Sequence, residues 1–243
     1  MTQSIELSVV VPVKDEAGSA AALAREIAQV LDGRSYEMIF VDDASRDDTR
    51  AELAALKSEL PALRLIGHRQ NSGQSRAVRT GVLAARAPIV GTLDGDGQND
   101  PADLPRLLAR LTRADAPANL AMVAGRRGKR QDAWSKRAAS RIANNIRKAA
   151  LKDGADDSAS GVKVFKRDAF LRLPYFDHMH RFMPALMLRE GYAVEFLEVN
   201  HRQRSAGRSK YTNLGRLAAN MTDLWGVMWL RSRARLPGGA DEL

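Results

Sequence analysis

Two aspartates separated by one residue, Asp94 and Asp96, have the types and spacing that could bind a metal. They lie in the segment Asp94-Gly95-Asp96-Gly97-Gln98, directly after an apolar run. Alternate residues of an extended chain point to the same side, so both carboxylates can converge on one cation. Hard carboxylate oxygens suit Mg²⁺ or Mn²⁺, above all where a diphosphate supplies further ligands. An ordinary acidic turn is the competing interpretation, because aspartate and glycine favour turns.

Acidic residues also follow two other apolar runs. Asp42 and Asp43 end the second run, and Glu16 comes just after the first. Carboxylates at such positions could accept hydrogen bonds from a nucleobase or a ribose. Taken alone, Asp42 and Asp43 are better explained by capping of the next helix, together with Ser45 and Asp47. Acidic groups after three apolar runs are nevertheless harder to attribute to helix capping or turns than any one of them would be.

The first half of the chain alternates the elements that would position these groups. A continuous, mostly β-branched run predicts a strand buried on both faces at Leu7–Val13, and segments rich in apolar residues predict further strands at Glu37–Val41, Leu63–Gly67, Ile89–Leu93 and Ala118–Ala124. Helical spacing predicts helices at Ala17–Leu31, Thr49–Leu60, Ser75–Ala85 and Pro101–Leu111. This alternation predicts an α/β fold with a mostly parallel sheet and helices on both faces. Ligands of such folds bind at the carboxyl ends of strands, where the acidic groups fall.

The second half predicts a more varied arrangement. Its expected elements are a basic helix at Trp134–Leu151, strands at Gly161–Lys166 and Ala193–Val199, a helix around Arg181–Glu190, a basic loop at His201–Lys210 and a closing helix at Tyr211–Leu230. By itself, the basic loop would be interpreted as a solvated surface segment.

Composition limits the possible chemistry. The 243 residues include 38 Lys and Arg against 29 Asp and Glu, a formal net charge of +9, and this excess indicates anionic partners. With no cysteine, the chain can form no disulfide, thiolate metal site or cysteine nucleophile. Neither a secretory signal nor a membrane-spanning apolar run is evident. We therefore expect a cytoplasmic protein, peripheral at the inner face of the membrane.

Seven motifs in order give the chain a resemblance to a known family. They are VVVPVKDE (Val9–Glu16), FVDDASRDDT (Phe40–Thr49), QNSGQSRAVRTG (Gln70–Gly81), LDGDGQNDP (Leu93–Pro101), AGRR (Ala124–Arg127), SGVKVFKR (Ser160–Arg167) and RSAGRSKY (Arg204–Tyr211). The chain resembles family-2 glycosyltransferases of the GT-A fold, and among them the dolichyl-phosphate mannose synthase group of polyprenyl-phosphate sugar synthases. The resemblance implies a catalytic domain over 1–210, with a nucleotide and metal half over about 1–125 and an acceptor half over about 126–210. An amphipathic helix and tail over 211–243 would follow.

The resemblance also implies roles for individual residues. Nucleotide-sugar binding would fall to Pro12, Lys14, Glu16, Asp42, Asp43, Asp94, Gly95, Asp96, Arg126, Arg204 and Lys210. Metal binding would fall to Asp94, Asp96 and Gln98, and catalysis to Asp94, Asp96, Arg126, Arg204 and Lys210. Lys14 stands where the family commonly has tyrosine and Asp15 where it commonly has asparagine. Because lysine cannot stack as tyrosine does, the nucleobase preference does not carry over.

Ten basic residues and a single acid, Asp132, fall between positions 126 and 152. Nucleic acid would be the obvious partner, but aromatic residues for base stacking are missing apart from Trp134. An anionic lipid surface with a polyprenyl phosphate explains the stretch better. The resemblance places the lipid phosphate at Arg126, Lys136, Arg137 and Ser140.

The closing segment predicts an amphipathic helix with basic residues beside it. Its apolar residues at helical spacing are Leu214, Leu217, Met221, Leu224, Trp225, Met228 and Trp229. A helix packed on the core and an in-plane helix at a membrane surface explain this stripe equally well.

The resemblance implies a metal-dependent, inverting glycosyltransferase. It would move a monosaccharide from a GDP- or UDP-linked donor to a polyprenyl phosphate, with Mg²⁺ or Mn²⁺ as cofactor. A membrane subunit is an alternative partner to the lipid surface, and nucleic acid is not expected. The alternatives are a family-2 enzyme with a polysaccharide or lipid A precursor as acceptor, and a non-catalytic nucleotide-sugar-binding subunit.

Overall fold

The computed structural model describes residues 4–127, 151, 153–154, 161–200, 202 and 213–236, with backbone only at 127 and 213–220. The strands are β1 (Leu7–Val13), β2 (Tyr36–Asp42), β3 (Leu63–Gly67), β4 (Ile89–Thr92), β5 (Leu120–Arg127), β6 (Lys163–Lys166) and β7 (Ala193–Val199). The helices are α1 (Ser19–Val30), α2 (Thr49–Ala55), α3 (Gln74–Ala84), α4 (Asp103–Thr112), α5 (Arg167–Leu171), α6 (Met183–Arg189) and α7 (Asn213–Ser232). Short 3₁₀ turns span Leu56–Ser58 and Met179–Arg181.

The seven strands form one sheet in the order β3-β2-β1-β4-β6-β5-β7. β6 runs antiparallel to its neighbours β4 and β5, while the other paired strands are parallel. The mostly parallel α/β sheet predicted from the sequence is therefore confirmed. The carboxyl ends of six strands and the amino end of β6 share one edge.

Each face of the sheet supports a separate apolar core. β1 shows the division, since Val9 and Val11 belong to one cluster while Val10 belongs to the other. This follows from the alternation of side chains along a strand. Helices α1, α2 and α4 cover the first face, and α3, α5, α6 and α7 cover the second. Because both faces are covered, all seven residues of β1 are buried, as its mostly apolar run predicted.

Several predicted elements differ from the structure in detail. The helix expected over Thr49–Leu60 ends at Ala55 and continues as a 3₁₀ turn. The helix expected from Pro101 begins at Asp103. α5 was not predicted, because its five residues follow β6 without a loop and are too short to show a helical period. The basic helix expected at Trp134–Leu151 lies, apart from its last residue, outside the described residues.

Candidate active site at the carboxyl edge of the sheet

The strand order creates a crevice between the carboxyl ends of β1 and β4. β1 pairs with β2 on one side and with β4 on the other. The chain leaves β1 through α1 on one face and reaches β4 through α3 on the opposite face. Such a reversal is where ligands bind in open α/β sheets. The predicted site residues after β1, β2 and β4 surround this point.

Lys14 closes the β1 end of the crevice. Its Nζ donates to the backbone carbonyls of Ala44, at 3.0 Å, and Asp43, at 3.2 Å. The two loops that it joins contain unusual backbone, since Asp15 and Ala44 have φ of 50° and 58°. Non-glycine residues rarely adopt such angles, and strained backbone of this kind clusters at ligand sites. Lys14 thus supports the shape of the crevice through backbone contacts.

Four consecutive backbone amides after β1 donate to side chains of the loop and helix after β2. The donors Asp15, Glu16, Ala17 and Gly18 pair in order with Ser45, Thr49, Asp47 and Glu52, at 2.7 to 3.1 Å. Ser45, offered above as a helix cap, therefore serves the neighbouring loop instead. Burial alone would raise the pKa of Asp47, but hydrogen bonds from Thr49 and Ala17 outweigh it and lower the pKa. The ladder fixes the backbone of Glu16.

Asp42 is fully buried and bonded within the protein. Its Oδ2 accepts from Arg50 Nε at 2.7 Å, and its Oδ1 accepts from the backbone amide of Ser45 at 3.1 Å. A buried carboxylate requires such donors, because its desolvation would otherwise be costly. These contacts anchor α2 to the end of β2.

Asp43 anchors the opposite side of the crevice. Its Oδ1 lies 2.7 Å from His68 Nδ1 and accepts from the amide of Ser72, and its Oδ2 accepts from the amide of Gly73. His68 Nε2 in turn lies 2.9 Å from Thr80 Oγ1 on α3. Asp43 therefore holds the loop that leads into α3. A contact of either buried aspartate with a nucleotide stays a prediction.

Asp94 is held in place from two directions. Its Oδ1 accepts from Gln74 Nε2 at 2.8 Å, and its backbone amide donates to Asn99 Oδ1 at 2.8 Å. A Cβ atom at Gly161 would clash with Asp94 Oδ2 and Asn99 Oδ1, so glycine lets β6 begin close to this carboxylate. Asp94 therefore keeps a defined orientation at the end of β4.

The rest of the acidic motif turns tightly beside β1. A Cβ at Gly95 would lie 2.6 Å from Val13 Cγ1, so only glycine allows this approach. Asp96 Oδ1 accepts from the backbone amide of Gln98, whose carbonyl accepts from the amide of Arg202. Asp94, Asp96 and Gln98 are each half-buried at this edge.

The donor set fits a divalent cation that shares its ligands with a diphosphate. Among the described residues, no group of three or more His, Cys, Asp or Glu side chains could enclose a metal. Asp94 and Asp96 offer two carboxylates and Gln98 an amide oxygen, which are hard ligands. Mg²⁺ commonly uses one or two carboxylates, substrate phosphates and water. The structure thus fits an ion bound together with its substrate.

Arg126 reaches the same edge from the far side of β6. Lys163 of β6 pairs with Thr92 of β4 on one side and with Ala124 of β5 on the other. Asp94 follows Thr92 by two residues and Arg126 follows Ala124 by two residues, so both reach the same edge of the sheet. Their strands are two strand spacings apart, roughly 10 Å. Arg126 is exposed, and a guanidinium here suits a phosphate group. The other predicted basic and hydroxyl residues, Arg204, Lys210, Lys136, Arg137 and Ser140, lie outside the described residues.

Four residues near the crevice had no predicted role. Gln74 and Asn99 lie within the motifs quoted above, and this position was the sequence signal for their role. His68 and His180 lie outside those motifs, and the sequence carried no such signal for them. His180 Nδ1 lies 2.7 Å from Ser75 Oγ at the start of α3. Burial, reinforced by the nearby positive charge of Lys163, lowers the pKa of His180 well below its usual value. His180 is therefore neutral near pH 7 and braces α3.

The sequence of the chain is similar to a family of known proteins. A family model described as glycosyl transferase family 2 matches residues 8–173. Dodecaprenyl-phosphate galacturonate synthase of Rhizobium johnstonii is 31% identical over 242 residues, covering 97% of this chain and 70% of that protein. Undecaprenyl-phosphate 4-deoxy-4-formamido-L-arabinose transferase of Pseudomonas aeruginosa is 33% identical over 224 residues, covering 90% and 63%. The chain thus spans about two thirds of the length of these relatives.

Solved structures share the fold. Glucosyl-3-phosphoglycerate synthase of Mycobacterium tuberculosis, in complex with Mn²⁺, UDP and glucosyl-3-phosphoglycerate, superposes with a TM-score of 0.70 at 18% identity. The match covers 96% of this chain and 82% of that one. A second complex of the same synthase contains Mg²⁺ and UDP, again with a TM-score of 0.70.

Proposed function

The chain belongs to glycosyl transferase family 2, and we propose that it transfers one monosaccharide from a nucleotide sugar to a polyprenyl phosphate. One observation supports polyprenyl phosphate as the acceptor. The relatives named for dodecaprenyl and undecaprenyl phosphate align over at least 90% of this chain, through the acidic edge and beyond it. The acidic crevice at the strand ends supports the donor class, because carboxylates placed there suit a metal-bound diphosphate.

The proposed reaction is a single in-line displacement that inverts the anomeric carbon. An oxygen of the acceptor phosphate forms the new bond to this carbon as the bond to the donor diphosphate breaks, and the nucleoside diphosphate leaves with the electron pair. A phosphate monoester is already anionic near neutral pH, so the step needs no strong base. This suits a crevice whose described histidines, His68 and His180, bond to neighbouring side chains.

The chain's residues then act by positioning and by charge. Asp94 and Asp96, with Gln98, would hold Mg²⁺ or Mn²⁺, and the ion would supply Lewis-acid stabilisation of the leaving diphosphate. Gln74 and Asn99 keep Asp94 oriented. Arg126 would bind a phosphate oxygen, with Arg204 and Lys210 covering the donor. Holding both reactants in line supplies much of the remaining rate enhancement.

The reaction class does not determine which monosaccharide is transferred. The group that the chain resembles is named for mannose, but the sequence leaves mannose, glucose, N-acetylhexosamine and uronic acids open, and the relatives are named for galacturonate and 4-deoxy-4-formamido-L-arabinose. The many arginines could pair a sugar carboxylate, but phosphates explain them more simply, so the name of the galacturonate synthase is the stronger support for a uronic acid. We therefore propose a uronic acid as the first donor to test, before neutral hexoses.

The decisive experiment measures transfer of label from UDP- and GDP-linked sugars to undecaprenyl phosphate in detergent. We expect lipid-linked label with Mn²⁺ or Mg²⁺ that disappears with chelator. Asp94→Asn should abolish the label, whereas Asp168→Asn, at an exposed surface site, should not. Label on a polysaccharide or a lipid A precursor would contradict the polyprenyl-phosphate acceptor and identify that molecule as the acceptor instead. A folded protein that binds nucleotide sugar without turnover with any acceptor would indicate a non-catalytic subunit.

A further inference from the structure

Helix α7 carries an apolar face that the described part of the protein leaves exposed. Trp225 and Trp229 are 70% and 59% exposed, and Met221 and Met228 beside them are also exposed. At about 100° per residue, these four side chains fall within one stripe roughly a quarter of the helix circumference wide. Large aromatic side chains exposed together are unusual on a soluble surface and indicate an interaction site.

The opposite face of α7 fixes the helix to the catalytic domain. Leu224 and Val227 are buried in the core cluster that includes the apolar residues of α3 and α6. The carboxylate of Asp223 lies 2.9 Å from His178 Nδ1, and Arg189 Nε donates to the carbonyl of Leu230 at 3.1 Å. The exposed face is therefore presented on a rigid support.

The charged residues beside this apolar face indicate which kind of partner it binds. Residues 221–236 contain one acid, Asp223, which is turned inward toward His178. Three arginines, Arg231, Arg233 and Arg235, follow the tryptophans at the end of the helix. Tryptophan prefers the boundary between lipid headgroups and acyl chains, and arginine is attracted to anionic headgroups. An apolar partner protein would need no such arginine cluster.

We propose that this face of α7, the surface formed by Met221, Trp225, Met228 and Trp229, docks in the plane of an anionic lipid bilayer. The proposal rests on the polyprenyl-phosphate acceptor proposed above and names the partner that presents it. No described helix of the protein is long and apolar enough to cross a bilayer. In-plane binding needs only a helix with one apolar side and a basic end.

A series of hydrogen bonds connects the buried face of α7 to the crevice. His178, bonded to Asp223 of α7, lies two residues before His180, which contacts Ser75 at the start of α3. The preceding residue, Gln74, donates to Asp94. Docking of the apolar face therefore holds the carboxyl edge of the sheet at a fixed position relative to the headgroups, where a lipid phosphate would be presented.

Vesicle flotation of the full chain tests the proposal without donor or acceptor. We expect flotation with vesicles of phosphatidylcholine and phosphatidylglycerol, weaker flotation with phosphatidylcholine alone, and loss of the difference at high salt. Trp225→Ser and Trp229→Ser should each weaken partitioning roughly tenfold. The matched control Leu83→Ser changes an apolar side chain on α3 that is 54% exposed, and should leave flotation unchanged.

Fluorescence provides an independent readout of depth. The chain has three tryptophans, so Trp134→Phe leaves Trp225 and Trp229 as the only reporters. Brominated lipids should quench them, and a soluble quencher should lose access to them, when vesicles are added. Arg233→Gln and Arg235→Gln should each weaken binding to anionic vesicles about fivefold.

Three results would overturn the proposal. These are absence of flotation by the wild type, equal flotation of the tryptophan variants, and a dimer that becomes monomeric with Trp225→Ser, since a second copy would then cover the face. Transfer to a short-chain polyprenyl phosphate in detergent is measured in parallel. Vesicle binding without transfer would refute the proposed function alone, and transfer without vesicle binding would refute the docking surface alone.

Discussion

Replacing Asp43 by Asn tests whether this buried carboxylate holds the loop before α3. Asn can keep an oxygen facing His68 and the amide of Ser72, but its NH₂ group then faces the amide of Gly73, which is also a donor. One hydrogen bond to a charged acceptor is lost, about 1.5–3 kcal/mol, and two others weaken. We expect the free energy of unfolding to fall by about 2–3 kcal/mol.

Urea denaturation followed by circular dichroism measures this loss, and Tm should fall by about 5–10 °C for a chain of this size. Asp168→Asn is the matched control, because the side chain of Asp168 is 87% exposed, and it should change stability by less than about 0.5 kcal/mol. If Asp43→Asn were as stable as the wild type, Asp43 would not anchor the loop. The nucleotide contact implied by the family resemblance would then be its better explanation.

Three further predictions concern the same edge. Gln74→Met removes the amide that donates to Asp94 and should weaken Mn²⁺ binding in the presence of nucleoside diphosphate about fivefold. Electron paramagnetic resonance of free Mn²⁺ measures this affinity, and the control Gln70→Met should leave it unchanged. Equal affinities of Gln74→Met and the wild type would show that Gln74 does not position Asp94 for the metal. Because burial lowers the pKa of His180, the unfolded chain binds its proton first, so stability should fall as pH drops below about 6.5, by up to ~1.4 kcal/mol per pH unit. His180→Gln should flatten that slope in urea denaturation between about pH 5.5 and 7.5, and an unchanged slope would assign the effect elsewhere. Gly161→Ala should displace the Asp94 carboxylate and reduce Mn²⁺ affinity in the same assay, and wild-type affinity would contradict the close packing.

The sequence predicted much of the sheet, most directly at β1, where burial on both faces leaves an apolar run interrupted only by Ser8. β1, β3 and β7 match their predicted bounds residue for residue. The direction of β6 could not be predicted, since an antiparallel strand of four residues has the same composition as a parallel one. Long-range pairing decides strand direction, and local sequence does not contain it.

The site was predictable in its position but less so in its contacts. Strand ends located Asp94 and Asp96, because polar residues after apolar runs mark the carboxyl edge. The partners come from distant parts of the chain, as Gln74 is 20 residues from Asp94 and Ser75 is 105 residues from His180. Such pairs depend on how α3 packs against the sheet, and a single sequence carries no record of it.

Spacing explains why two similar pairs of aspartates have different surroundings. Asp42 and Asp43 are adjacent, so their side chains leave the strand end on opposite sides. Asp42 bonds to Arg50 on the face covered by α1 and α2, and Asp43 bonds to the loop before α3 on the other face. Each carboxylate is therefore bonded to different neighbours, on its own face of the sheet.

Asp94 and Asp96 are separated by a glycine, and the chain turns at Gly95 and Asp96 instead of continuing as the extended segment expected from the sequence. Gly95 packs against Val13, where a side chain would clash, so the loop stays close to the end of β1. Both carboxylates consequently remain half-buried at the switch point between β1 and β4. Both carboxylates border the crevice and offer hard oxygen ligands, which supports our proposal that this second pair binds the metal.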